Sequence, residues 1–180
     1  MPTAMDSGHF VRFYDTDAQL AAVAAEFLRE GFESGAACIV VATRQHRDGI
    51  DAVLEGRGLS PARLDSEYRY IRLDARELLA SLMNERGVDL RRFHASVGLL
   101  LRQVSARGQP VRIFGEMVAI LAAEHSIQWA VELEELWNEL SRQHAFSLLC
   151  GYPNALFGGD VANVDRRLIC AIHSVAGDAA

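Results

Sequence analysis

Apolar positions along the chain fall into two rhythms, one suited to strands and one to helices. His9-Phe10-Val11-Arg12-Phe13-Tyr14 is an aromatic and β-branched run that reads as a strand. Asp15-Thr16-Asp17 then offers N-capping oxygens to a helix whose Leu20, Val23, Ala24, Phe27 and Leu28 share one face. Gly35 stands where a helix end needs a left-handed residue. From Ala36 to Ala42 every position is apolar, the pattern of a strand buried on both faces. A helix from about Arg44 carries Ile50, Val53 and Leu54 and stops at Gly56-Arg57-Gly58. Ser60-Pro61 opens a short helical turn.

Tyr68 to Leu73 predicts a third strand, and Asp74-Ala75-Arg76-Glu77 has capping-box spacing ahead of Leu78, Leu79 and Leu82. Asp89 opens a longer helix with Phe93, Val97, Leu100, Leu101 and Val104, closed by Gly108. Pro110 leads into strand Val111 to Phe114, which runs on into Gly115-Glu116-Met117. A helix over about Ser126 to Gln143 places Trp129, Leu133, Leu136, Trp137 and Leu140 on one side, with Glu134 and Asn138 flanking it beside Trp137. Phe146 to Tyr152 is the last clear strand, followed by a Gly- and Asn-rich loop and a short helix with Val164, Leu168 and Ile169. Strands alternating with helices predict an α/β fold of three layers. A mainly parallel central sheet is flanked by helices, in the Rossmann or RecA-like manner. No repeat or linker interrupts the pattern, so residues 1–180 read as a single domain with its core at about 8–174.

Composition narrows the chemistry. Half of the 180 residues are apolar, enough for a sizeable core. The net charge of −6 is spread along the chain, which argues against a nucleic-acid or anionic-membrane partner. The longest apolar run is far short of the roughly 18 residues that span a bilayer. The stretch Met1 to Gly8 lacks a secretion pattern, so a cytoplasmic location is expected. Cys38, Cys150 and Cys170 are scattered through apolar stretches, where buried thiols are the plain reading. All 18 basic side chains are arginine. Without lysine there is no Schiff base, no P-loop and no kinase-type phosphate contact. Gly-x-Ser-x-Gly, His-Glu-x-x-His and paired Cys-x-x-Cys are absent too. The expectation is a binding domain with no cofactor and no catalysis.

In an open parallel sheet, ligands bind outside the carboxyl ends of the strands. Those ends supply the candidate ligand-binding residues: Tyr14, Thr43, Arg44 with His46 close behind, Glu116, Cys150 and Tyr152. The first turn, Tyr14-Asp15-Thr16-Asp17, has no glycine and two carboxylates, the reverse of a phosphate cradle. Capping is the plain reading of Asp15 and Asp17. Glu116 follows an apolar strand and precedes Met117 and Val118, so it should be at least partly buried, and a buried carboxylate must be paired, hydrogen-bonded or protonated. An ion pair with Arg44 or Arg112 is one reading, and a ligand contact is the other. Glu116 and Tyr152 are predicted to point into one shared cavity with Tyr14 at its rim. His9, at the far edge of the sheet, suggests a structural or interface role. His94 lacks the surroundings of a phosphoacceptor. Cys170 and His173 are half a metal site with no visible second half, so no metal is expected.

These residues resemble the MEDS (methanogen/methylotroph, DcmR sensory) domain. The resemblance lies in His9 to Tyr14, the strand through Cys38 to Thr43 with His46, Arg112-Ile113-Phe114-Gly115-Glu116-Met117 and Leu133 to Asn138. It continues through Phe146 to Pro153 and the tail Ile169-Cys170 with His173-Ser174. It implies a RecA- or KaiC-like core without a P-loop. It also implies sensing of a small molecule, hydrocarbon derivatives among them. The first few residues and Val175 onward lie outside it, so a signalling partner protein in trans is expected, and homo-oligomerisation is compatible. A protein-interaction module of a stress-response or anti-sigma type, with no small ligand, is the alternative. An enzyme using Glu116 as general acid or base is a third.

Overall fold

The structure is a computed structural model that describes residues 8–158 and 160–179; the stretch Met1 to Ser7 lies outside the described residues. In chain order the first half runs β1 (His9–Tyr14), α1 (Asp17–Glu33), β2 (Ala37–Ala42), α2 (Arg44–Gly56), α3 (Pro61–Ser66), β3 (Tyr70–Asp74) and α4 (Ala75–Leu82). A small hairpin of β4 (Met83–Asn84) and β5 (Gly87–Val88) precedes α5 (Leu90–Phe93), a π-helical turn (His94–Gly98) and α6 (Leu99–Ser105). Then come β6 (Val111–Gly115), α7 (Met117–Glu124), α8 (Ile127–Ser141), β7 (Ser147–Pro153), a 3-10 turn (Asn154–Phe157), α9 (Asp160–Ile172) and β8 (Val175–Asp178).

Six strands form one sheet in the order β3-β2-β6-β7-β1-β8, and every pairing in it is parallel. The chain steps from β1 through β2 to β3 in one direction, then from β3 through β6 and β7 to β8 in the other. Right-handed crossovers must therefore place the first helices on one face and the later ones on the opposite face. The two cores follow this rule. Leu20 and Leu28 of α1, Ile50 and Leu54 of α2 and Leu64 of α3 pack on one face. Leu79, Phe93, Leu101, Val118, Leu133, Trp137 and Ile169, from α4 to α9, pack on the other. This is the three-layer α/β arrangement expected from the sequence, and here the central sheet is wholly parallel.

The β4–β5 hairpin has no counterpart in the sequence reading, and three further elements depart from it, each for a local reason. The helix expected from Asp89 to Gly108 contains a π-helical turn. Eight residues of straight α-helix would carry Leu101 about 80° away from the face of Phe93. The wider turn absorbs the excess, so Phe93, Val97 and Leu101 are all buried. Phe93 then meets Trp137 edge-on at 5.3 Å, a contact worth about 0.5–1.5 kcal/mol beyond its area. Helix α7 has no polar face, because Met117 to Leu121 are all buried, so amphipathic periodicity gives no signal for it. Strand β8 is short and at the sheet edge, and it lies beyond the last strand expected.

Glycine is needed where backbones approach closely or turn left-handed. A Cβ on Gly151 would stand 2.8 Å from Leu20 Cδ1, so glycine there lets α1 lie close over β7. Gly35 adopts φ +82° just after α1, as its position implied. At the start of α4, Asp74 accepts the N–H of Arg76 at 3.0 Å and of Glu77 at 3.2 Å, and Arg47 Nη2 donates to it at 3.0 Å. Asp74→Ala is expected to cost about 1–2 kcal/mol in urea denaturation, with the fold intact. Asp74→Asn keeps the cap and should cost less than half of that. Equal losses in the two variants would assign the energy to the Arg47 pair instead of the cap.

Candidate functional site

Strands β2 and β6 are neighbours, yet their connections leave in opposite directions, β2 toward β3 and β6 toward β7. That reversal marks the switch point of the sheet, the place where parallel α/β folds bind ligands beyond the carboxyl ends of their strands. Thr43 and Glu116 are the first residues beyond those two ends. Glu116 is buried, and its backbone N–H still donates to Val41 at 3.1 Å, which holds it at the sheet. One carboxylate oxygen accepts the N–H of Thr43, and the other pairs with Nδ1 of His46. Thr43 is also the N-cap of α2, and this fixes the helix turn that carries His46. On its far side, His46 Nε2 lies 3.3 Å from Asp17 Oδ1. Gln45 donates to the other Asp17 oxygen at 2.7 Å. The Tyr14 ring meets His46 edge-on, with centroids 6.4 Å apart.

Asp17, His46 and Glu116 thus form one polar line across α1, α2 and β6, beside the Tyr14 ring. The Glu116 hydrogen bond raises the His46 pKa, against the opposing effect of burial, and the Asp17 contact adds to it. Burial pushes the Tyr14 phenol up, and the negative charges of Glu116 and Asp17 push it further, so it stays neutral.

Four of the seven candidate residues come together here: Tyr14, Thr43, His46 and Glu116. Arg44 does not; its side chain is 88 % exposed and lies 3.8 Å from Asp48. Arg112 reaches Phe27 O at 2.7 Å and Glu30 at 2.9 Å. The partner of Glu116 is therefore a histidine, and neither arginine considered for it. Cys150 and Tyr152 lie on the opposite face of the sheet, so the shared cavity expected for Glu116 and Tyr152 does not form. Strand side chains alternate between faces. In β7 that alternation sends Leu149 to the α1–α2 core and Leu148, Cys150 and Tyr152 to the other. Tyr14 belongs to the first core, Tyr152 to the second.

The first strand–helix turn is closed by its own side chains. Thr16 caps α1, accepting the Gln19 N–H at 3.2 Å, and Gln19 Oε1 accepts the N–H groups of Asp15 at 2.9 Å and Thr16 at 3.2 Å. Those are the donors a phosphate would need. The cap is Thr16 and neither flanking aspartate. Asp15 accepts from Asn154 at 3.1 Å, and Asp17 serves His46 and Gln45.

Under α8 and α9 lies a second polar group that the sequence reading did not assemble. Glu134 is fully buried on the inner face of α8, not on its flank. Tyr152 Oη donates to its Oε1 at 2.9 Å, and Cys150 Sγ lies 3.4 Å from Oε2. His9 Nε2 is 3.0 Å from Oε2, and His173 Nε2 is 3.3 Å from Oε1. Burial would raise the Glu134 pKa, but the contacts from His173 and His9 outweigh it and hold the carboxyl well below the usual range. His173, with Cys170, had looked like half a metal site; its companions are instead His9, Glu134 and Cys150. Their signal was phase: Glu134 is four residues after Ala130 and three before Trp137, inside the apolar stripe.

Fold and site together define a parallel α/β domain with a polar side-chain group at its switch point and a self-capped first turn. Residues 8–167 match the family described as MEDS, MEthanogen/methylotroph, DcmR Sensory domain, and the chain belongs to this family of sensory domains. The match stops before Cys170 and His173-Ser174, which the sequence resemblance had included. No curated protein matches the chain. No helix among the described residues is long and apolar enough to cross a membrane.

Two outcomes follow from this geometry. Because Gln19 fills the turn, calorimetric titration with Mg-ATP is expected to show no binding; micromolar binding that strengthens in Gln19→Ala would overturn this. Because the folded pKa of His46 is raised, the stability from its Glu116 contact is fully present below about pH 6.5 and is lost as pH rises through the folded value. Glu116→Gln keeps an acceptor for Thr43 but removes the charge. It is expected to cost about 2 kcal/mol near pH 6 and to flatten the decline above it. Urea denaturation across pH 6–9 measures both (an unchanged slope would assign the decline to other groups).

Proposed function

We propose that this chain is a non-catalytic sensory domain that takes a small molecule at the β2–β6 crevice and signals to a partner protein in trans. The observation that carries this reading is Glu116. A single buried carboxylate ties the start of α2 to the end of β6, and through His46 it reaches Asp17 at the start of α1. A molecule that hydrogen-bonds to His46 or Glu116 competes with those ties, so occupancy changes how α1 and α2 are held. Asp15 and Asp17 add negative charge at the same edge, which disfavours an anionic ligand. A small uncharged hydrocarbon derivative bearing a hydroxyl or similar group suits this rim of phenol, imidazole and carboxylate. Both oxygens of Glu116 are engaged, which argues against its use as a general acid or base.

The competing reading is a protein-interaction module with no small ligand. Its support is the exposure of Leu90, Leu99, Val164 and Leu168 on α5, α6 and α9. Singly exposed apolar residues are ordinary, and this support is the weaker.

Thermal-shift and denaturation measurements with short alcohols and other small hydrocarbon derivatives test the choice. A compound at about 100 times its dissociation constant should add roughly 2.7 kcal/mol of stability. Tyr14→Phe and Glu116→Gln should each lose more than half of that gain. If no compound stabilises the wild-type chain, or if both variants keep the full gain, the crevice is not the sensing site and the interaction reading takes its place.

A further inference from the structure

Four side chains from four separate parts of the chain converge inside the core: His9 on β1, Glu134 on α8, Cys150 on β7 and His173 after α9. They are 5 %, 0 %, 1 % and 8 % exposed. One ligand-type atom from each lies within 4.8 Å of all the others. We propose that they form a closed binding site for a divalent first-row transition metal, zinc above all.

The histidine orientations point this way. His9 Nδ1 lies 2.9 Å from Asn138 Oδ1, and Asn138 Nδ2 donates to Ile172 O at 3.1 Å, which fixes the amide with its oxygen toward His9. His173 Nδ1 lies 2.7 Å from the Ile169 carbonyl. Both partners are oxygen acceptors, so each neutral ring carries its proton on Nδ1 and turns an Nε2 lone pair inward. An outer carbonyl or amide that sets the tautomer in this way is the usual support of a metal-bound histidine. The inward atoms then face a carboxylate. His9 Nε2 stands 3.0 Å from Glu134 Oε2 and 3.3 Å from Cys150 Sγ. His173 Nε2 is buried without a hydrogen bond, although it is within ion-pair distance of Glu134. Lone pairs facing one another at such distances need positive charge among them, either a metal ion or a second proton on the histidines.

Spacing and charge agree on which cation. A tetrahedron with bonds of about 2.0–2.3 Å has edges of roughly 3.4 Å, close to the 3.0–3.4 Å separations of Glu134 Oε2, His9 Nε2 and Cys150 Sγ. Glutamate and thiolate together carry two negative charges, so a divalent ion leaves the core neutral. Binding releases the Cys150 thiol proton to solvent. Imidazole, thiolate and one carboxylate suit zinc, whereas calcium and magnesium require oxygen ligands. Four protein ligands leave no open position, so the site is structural and does not activate water. Tyr152 Oη, on Glu134 Oε1, orients the carboxylate from outside the ligand set.

The test uses Co2+ alone as an optical probe, titrated into the full chain after removal of metals with chelator. One equivalent should bind, with the intense visible bands of tetrahedral cobalt and a near-ultraviolet sulfur-to-cobalt charge-transfer band. One equivalent of Zn2+ should then bleach both. Cys150→Ser should lose the charge-transfer band, and His173→Gln should weaken affinity at least about tenfold. Because each of these variants alters a buried side chain and can disturb folding, a Cys38→Ala/Cys170→Ser double variant assigns the sulfur independently: it should keep the band in full. The proposal is overturned if the wild-type chain binds no Co2+ in the micromolar range, which would leave protonated histidines as the partners of Glu134. It is equally overturned if the bands lack sulfur charge transfer, or if the double variant loses it.

Discussion

Each central strand of this sheet serves two cores at once, and that alternation governs where every polar group ends up. Strand β2 shows it most plainly: Cys38, Val40 and Ala42 enter the α1–α2 core, whereas Ala37, Ile39 and Val41 enter the α4–α9 core. A one-residue shift in register would exchange the two sets, so the strands are locked wherever both faces are covered. The same parity deals Tyr14 to one side and His9, Cys150 and Tyr152 to the other. Two polar groups therefore exist instead of one, separated by the sheet itself.

Burial makes both groups demanding. The polar side chains buried among the described residues are His9, Glu116, Glu134, Ser147 and His173. Glu116 is satisfied by the start of α2, using a backbone N–H that helix geometry leaves free. Glu134 depends on side chains from distant parts of the chain. The first arrangement reaches the surface through His46 and Asp17, whose side chains are 17 % and 58 % exposed. The second is enclosed and can change only with the packing around it.

Much of the fold was legible because it rests on local signals. Ala36 to Ala42 has the pattern of a doubly buried strand, which forms over Ala37–Ala42, and Asp74 caps the helix it precedes. Glu116 was legible as a buried carboxylate, since it stands between an apolar strand and an apolar helix. Its partner was not, because opposite charge made arginine the obvious choice, while Thr43 and His46 reach it only through the β2–β6 adjacency. Placing Tyr152 with Glu116 failed on parity, which depends on the strand's starting register and not on its end. The His9–Glu134–Cys150–His173 group spans almost the whole chain, so no spacing in the sequence could announce it.

Strand β1 physically joins the two groups, because His9 begins it and Tyr14 ends it. Five steps of extended chain set these residues about 17 Å apart. That strand is hydrogen-bonded on both sides, to β7 and β8, and it cannot slide without disturbing both cores. The elements with more freedom lie outside it. Helices α1 and α2 meet the sheet on one face only and are tied at the crevice through Asp17, His46 and Glu116. Among the described residues strand β8 pairs with β1 alone, held by Ser174 N–H to His9 O and Ala179 N–H to Phe13 O, each at 2.7 Å, and by Arg166 on Asp178 at 2.5 Å. Both sets of ties begin next to a polar group, the crevice in one case and His9 with His173 in the other. Both groups therefore border elements at the periphery, on either side of central strands that the two cores hold in place.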